Sequence, residues 1–397
     1  MRNLIVGIVV GVVIGIVVGT TVVAPRLKLP VQNKAQQQAQ EAAQVAATAQ
    51  DQSIAPAQSK ASAGAPRPDP ISGESERWRM ASAYASSLAQ LGTLGKRLEQ
   101  NIHTISGGNL TITFYEPGTL VAPEAAFEAV RSGAIEAAFA APGMWAEHNP
   151  ALHFFSAIPF GPPIQEYLAW YHAEGNTILS DIYKKLGVHG VACGLLAPEG
   201  SGWFRKPVET VAQLKGLRIG MTGLGGEVLE RLGANVVPLA EGDVFVAMER
   251  NMIDGAEAAQ PAIDLQLGLH RMARYYYFPG WHQPATLLNL IVNVDFWNAL
   301  PPRAQRQVES ICGDNMQVGL ADSEASQFDA LKELTADGVR ISTWSPEIMT
   351  ALGSAWSEVA SEKAKKHKDF DRAWKSLQRF REEYDIWREI GEPGARR

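Results

Sequence analysis

Between Trp203 and Asn293 the pattern of apolar residues switches repeatedly between strand-like and helix-like spacing, and this alternation restricts the fold more than any other feature of the chain. Leu214, Leu217 and Ile219 lead into a short strand. The glycine-rich turn GMTGLGG then feeds an amphipathic helix over 227–232 that Gly233 stops, and strands follow at 236–239 and 253–256. An aromatic run, Tyr275 to Trp281, precedes a further apolar strand. Strands and helices in this order imply an α/β fold, in which ligands bind beyond the strand ends. Glu257 follows the strand at 253–256 and Gln283 follows the aromatic run, so both are positioned to face a cleft.

Upstream, the spacing predicts strand 78–83, helix 91–105, strand 110–115, helix 123–132 and strand 135–140. This βαβαβ run forms one lobe, and the stretch from Leu195 to about Val237 forms much of a second. After Pro301 the chain turns helical over 302–335, passes through a strand at 339–342, and ends in helices over 346–388. Trp356, Phe370, Trp374, Phe380 and Trp387 make an apolar stripe on those last helices.

The N-terminus is a separate problem. Residues 4–24 are almost unbroken Val, Ile and Gly, long enough to cross a bilayer as a helix and longer than the usual core of a cleaved signal. We therefore expect residues 1–25 to be an uncleaved transmembrane signal anchor. Gly7, Gly11, Gly15 and Gly19 share one helix face, which serves either close helix approach or only the low-complexity run. Residues 26–75 are rich in Gln, Ala, Ser and Pro, too poor in large apolar groups to offset the entropy of ordering, and read as a flexible tether. The two-lobed domain is expected over 76–397.

Several classes of chemistry find no support. A formal net charge of -6 without basic, aromatic-interleaved runs argues against nucleic-acid binding. The glycines at 220, 223, 225 and 226 do not form GxGxxG, and no GxSxG or HExxH occurs, so neither a dinucleotide site nor a familiar catalytic set is present. His270 and His282 do not have the spacing of metal ligands on one helical face. Cys193 and Cys312 fit two buried thiols as well as they fit a disulfide.

Motif blocks in order carry a positive identification. The blocks are WRMASAY at 78–84, IPFG at 158–161, GWFRK at 202–206, LKGL at 214–217, ERLG at 230–233, IDGAE at 253–257 and ARYYYFPGWHQP at 273–284. From about Arg77 to the C-terminal helices the chain resembles the solute-receptor subunit of tripartite ATP-independent periplasmic (TRAP) transporters, especially the branch that binds α-keto acids. The resemblance implies a periplasmic-binding-protein-like fold with a ligand cleft between lobes and long C-terminal helices. It implies a periplasmic receptor, anchored here to the inner membrane, that closes on a small organic acid and works with integral-membrane TRAP subunits. A membrane-anchored sensor of the same fold, or a receptor for a non-carboxylate solute, is the alternative, and an enzyme is not expected. Exchange of the terminal helix in some members implies a homodimer.

Site residues follow by the same resemblance. Glu257 stands at the family's cation-binding glutamate, Ala258 replaces the tryptophan after it while keeping a backbone carbonyl, and Gln283 replaces a second glutamate. Glu199 falls where the branch has a glutamine, and Trp145 where it has ligand-facing tyrosines. Glu199, Glu257, Ala258 and Gln283 are thus the expected ligands of a sodium or calcium ion that bridges to the solute. Gly220 occupies the position of the arginine that clamps the ligand carboxylate. Side chains alternate along a strand, so Arg218 is expected to lean over Gly220 and supply the missing charge.

Overall fold

A computed structural model describes residues 75–391, apart from 240–242 and 258. The expected anchor and tether lie outside the described residues, as does Ala258. Among the described residues no helix is long and apolar enough to cross a membrane.

Two sheets organise the domain. The first has the order β2-β1-β3-β10-β4, from β1 (Glu76–Ser82), β2 (Leu110–Tyr115), β3 (Ala137–Ala140), β4 (Val188–Leu196) and β10 (Thr286–Asn293). β1 runs parallel to β2 and β3, whereas β10 is antiparallel to both β3 and β4. Helix α1 (Leu91–Ile105) covers this sheet with Leu91, Leu94, Leu98 and Ile102, the three- and four-residue spacing of one buried face. The apolar run around Cys193, from which the second lobe was expected to start, instead completes the first sheet. Every residue of its neighbour β10 is buried, so the run pairs where both faces are covered.

The second sheet has the order β11-β9-β5-β8-β6-β7, from β5 (Gly202–Phe204), β6 (Arg218–Gly220), β7 (Asn235–Val237), β8 (Gly255–Ala256), β9 (Tyr275–Phe278) and β11 (Arg340–Thr343). Helix α2 (Gly223–Arg231) begins four residues earlier than its apolar spacing suggests, because Gly223, Gly225 and Gly226 form its first turn rather than the loop before it. A side chain at Gly225 would meet Cβ of His282 at 3.1 Å, so the glycine lets this helix approach the segment that follows β9.

The chain passes between the sheets at 197–201, at 279–285, and through the long helix α3 (Pro302–Ala336) that precedes β11. Cys193 of β4 and Cys312 of α3 form a disulfide, which decides between the two readings of these cysteines. Helix α4 (Pro346–Lys366) packs on α2, where Lys363 meets Glu227 at 2.8 Å and Arg231 meets Glu362 at 2.9 Å. Helix α5 (Lys368–Gly391) returns to the first lobe, with Phe370 against Phe154 and Ser376 accepting the indole N–H of Trp170. Of the expected apolar stripe, Trp356 and Phe370 are buried and Trp374 and Phe380 partly so. Trp387 is 58% exposed, because α5 outruns the surface it packs on.

Candidate cation and solute site at the lobe crossings

Glu199 lies in the first crossing segment, His282 and Gln283 lie in the second, and Glu257 directly follows β8. The backbone locks these pieces together before any side chain contributes. Glu199 N–H donates to the Gln283 carbonyl at 3.2 Å, Gly200 N–H to Ala259 at 3.0 Å, and Glu257 N–H to Gly220 at 2.9 Å. The two crossings are pressed so close that a Cβ on Gly280 would sit 2.1 Å from the Glu199 carbonyl oxygen.

The side chains converge on one point. Gln283 Nε2 donates to Glu199 Oε1 at 2.6 Å and to Thr286 Oγ1 at 2.7 Å, so one oxygen of Glu199 is held. Its other oxygen, Oε2, is buried with no hydrogen-bond partner, as are both ring nitrogens of His282. His282 Nε2 lies 3.6 Å from Glu199 Oε2 and 3.5 Å from Glu257 Oε1, and one donor atom from each of the three residues falls within 4.8 Å of the others. Burial would push the His282 pKa down, but the adjacent carboxylates of Glu199 and Glu257 outweigh it and push it up to about 9. Burial raises the Glu199 carboxyl well above the usual carboxylate range, with His282 opposing the effect and Glu257 adding to it. A cluster of this kind accepts a positive charge.

The support beneath it is also polar and buried. Asp264 accepts from the Trp203 indole at 2.8 Å and from Ala259 N–H at 2.9 Å, and Gln260 donates to the Ala197 carbonyl at 2.8 Å. Burial raises the Asp264 carboxyl to about 6. Trp203 stacks on Tyr276 with ring centroids 4.1 Å apart, which fixes the floor under the first crossing.

The other expected site residues are placed differently. Arg218 does not reach over Gly220. Its guanidinium forms a two-pronged pair with Asp254, at 3.0 Å from Nε and 2.7 Å from Nη2, and also donates to the Asn251 carbonyl at 2.7 Å. Asp254 precedes the neighbouring strand β8 and captures the charge where β6 and β8 begin, while a side chain at Gly220 would meet Ile253, Leu239 and Ala256, an apolar and occupied surface. Trp145 is buried and packs against Phe127 at 5.7 Å, with its indole N–H unpartnered. His282, set aside on helical spacing, is central. Its adjacency to Gln283 in GWHQP was the available signal, since ligands drawn from crossing segments need no helical spacing.

Two sheets joined by crossing segments that carry a convergent buried site define a two-lobed solute receptor. The DctP family model, bacterial extracellular solute-binding protein family 7, matches residues 80–367, and the chain belongs to that family. It is thus an extracytoplasmic receptor of a TRAP transporter and not an enzyme. Among its relatives, a monocarboxylate 2-oxoacid-binding periplasmic protein of Nostoc sp. strain PCC 7120 is 32% identical over 320 residues, spanning 80% of this chain and 87% of the relative. A TRAP transporter solute-binding protein from Bordetella bronchiseptica RB50, a mixed-occupancy dimer with copurified calcium and picolinate, has a TM-score of 0.77 at 31% identity, covering 80% of this chain and 95% of that one. Another, from Pseudoalteromonas atlantica T6c with bound sodium and pyruvate, has a TM-score of 0.76 at 29% identity, covering 80% and 97%.

Proposed function

We propose that this receptor delivers a small 2-oxo or related carboxylate to its transporter, holding it through a cation seated between Glu199, Glu257 and His282. The observation that carries this reading is the donor set at the lobe crossings: Glu199 Oε2 and the His282 ring nitrogens are buried and unpartnered, and one donor atom from each of Glu199, Glu257 and His282 lies within 4.8 Å of the others. The relatives with bound calcium or sodium beside pyruvate or picolinate support the same pairing. The chain's own residues fit a cation: two carboxylates supply charge, and Gln283 orients Glu199 by taking up its second oxygen. When bound, the cation supplies the positive charge that Gly220 does not. Trp145, with its free indole N–H, serves as a wall and a donor for the solute. Because the donors come from both crossings, occupancy ties the lobes in one mutual orientation.

Thermal-shift titration of the full chain with pyruvate, longer 2-oxoacids and picolinate, each with and without added cation, tests this proposal. A cation-dependent rise in melting temperature that Glu257→Gln abolishes is expected. Failure of every carboxylate to raise it under any cation refutes the ligand class.

Three further assignments belong to the same proposal. Residues 1–25 anchor the receptor, 26–75 give it reach from the membrane, and the domain occupies 76–397; the long apolar run and the composition shift after it support this. N-terminal sequencing that begins beyond Ala24 refutes the anchor. The chain also pairs with a second copy through the end of α5, where Ile386, Trp387 and Ile390 are 68%, 58% and 67% exposed. A monomer mass by light scattering at micromolar concentration refutes the pairing.

A further inference from the structure

We infer that the cation is a divalent, nitrogen-accepting ion of the zinc class, bound directly by His282 Nε2 beside Glu199 and Glu257, and not sodium or calcium. This inference rests on the receptor reading above and refines the identity of its ion.

Donor chemistry is the first reason. Sodium and calcium are hard ions served by oxygen, and calcium gathers about 6–8 oxygen ligands, often with a carboxylate bound through both oxygens. Here one of the donors is an imidazole nitrogen, which suits zinc, cobalt, nickel and copper. Glu199 presents a single free oxygen, because Oε1 is already taken by Gln283 at 2.6 Å.

The second reason is distance. At 3.5 and 3.6 Å the imidazole is too far from the two carboxylates for good hydrogen bonds, so the buried nitrogen is left unsatisfied by them. Bonds of about 2.0–2.2 Å to a tetrahedral ion place neighbouring donors about 3.3–3.6 Å apart. The separations from His282 to the two glutamates match two edges of such a shell, and the two glutamate oxygens lie within 4.8 Å of each other.

Charge is the third. The charged groups acting on Glu199 are His282, Glu257 and Asp264, and the one nearby arginine of the strand, Arg218, is committed to Asp254. Two carboxylates and an anionic solute then face the ion in a buried setting. A monovalent ion leaves twice the uncompensated negative charge that a divalent one does, and burying uncompensated charge is costly.

Calorimetric titration of the chelator-stripped full chain with zinc, calcium and sodium chlorides, without solute, tests the inference. One equivalent of zinc is expected to bind at least about 100-fold more tightly than calcium, with sodium weaker still. His282→Ala and the similarly sized His282→Gln should each weaken zinc at least about tenfold. Cobalt-loaded protein should show visible absorption of a tetrahedral site that both variants lose, a readout that a purely structural role for His282 does not predict. Calcium or sodium binding as tightly as zinc overturns the inference, as does zinc affinity unchanged in both variants, which places the ion on surface groups. Stabilisation by a 2-oxoacid with calcium alone, zinc being inert, overturns the zinc assignment and leaves the receptor reading standing. Zinc bound through His282 with no carboxylate recognised has the opposite meaning.

Discussion

Replacing Gly280 by alanine should damage the site without touching any of its donor groups. The added Cβ would lie 2.1 Å from the Glu199 carbonyl oxygen, 2.8 Å from its carbon and 3.4 Å from the Gly200 oxygen. Ordinary contact begins near 3.4 Å, so the crossings must separate by roughly 1 Å, and both clashing partners are backbone, which does not swing aside as a side chain does. The strain falls on the bonds from Glu199 N–H to Gln283 and from Gly200 N–H to Ala259, at 3.2 and 3.0 Å. We expect a loss of about 1–3 kcal/mol in urea unfolding. We also expect cation and solute affinity to fall at least about tenfold, because Glu199 moves relative to Glu257 and His282. Gly313→Ala is the matched control: it lies inside helix α3 with open space around its Cβ position, and should stabilise by about 0.5–1 kcal/mol. Wild-type affinity in Gly280→Ala, measured by calorimetry on protein shown to be folded, would refute the claim that the spacing of the crossings sets the site.

Arg218→Ala should leave solute affinity within twofold by calorimetry, and loss of its partly exposed pair with Asp254 should change the urea-unfolding midpoint little. Cys312→Ser should lower stability by about 2–5 kcal/mol in denaturant titration, since the bridge spans a sequence separation of 119. His153 is pushed down to about 4 by burial, with Lys363 adding to the effect. The unfolded chain, with an ordinary histidine near 6.5, therefore binds more protons than the folded one between those values. Stability should fall as pH drops from about 6.5 to about 4. His153→Gln should flatten that part of the profile in melting temperature against pH.

Regular elements with long periodic faces were readable directly. The helix Leu91–Ile105 and the strand Leu110–Tyr115 appear with the expected bounds, because a regularly spaced buried face marks each, Leu91, Leu94, Leu98 and Ile102 on the helix and Leu110, Ile112 and Phe114 on the strand. β8 spans only Gly255–Ala256 and was read two residues too long, since Ile253 is buried without pairing in the sheet. The resemblance pointed to Glu199, Glu257 and Gln283, which the fold brings near one another, but side-chain direction is set by tertiary neighbours. Alternation along β6 put Arg218 and Gly220 on one face, yet Asp254, one strand away, decided where the guanidinium went. His282 escaped notice for a related reason: its partners lie 25 and 83 residues upstream, and only the crossing of the chain between sheets makes them neighbours.

The disulfide has a mechanical consequence. Cys193 sits four residues before the first crossing segment begins, and Cys312 lies in the helix that makes a later passage to the second sheet. The bridge rivets the roots of two arms that reach from one lobe to the other. Any force that drew the lobes apart would load β4 and α3 together, through a covalent bond, instead of peeling the helix from the sheet. The short stretches 197–201 and 279–285, which link the sheets beyond the bridge, are the same stretches that carry Glu199, His282 and Gln283. Under the proposed function, a motion at these stretches would also displace the groups that hold the cation.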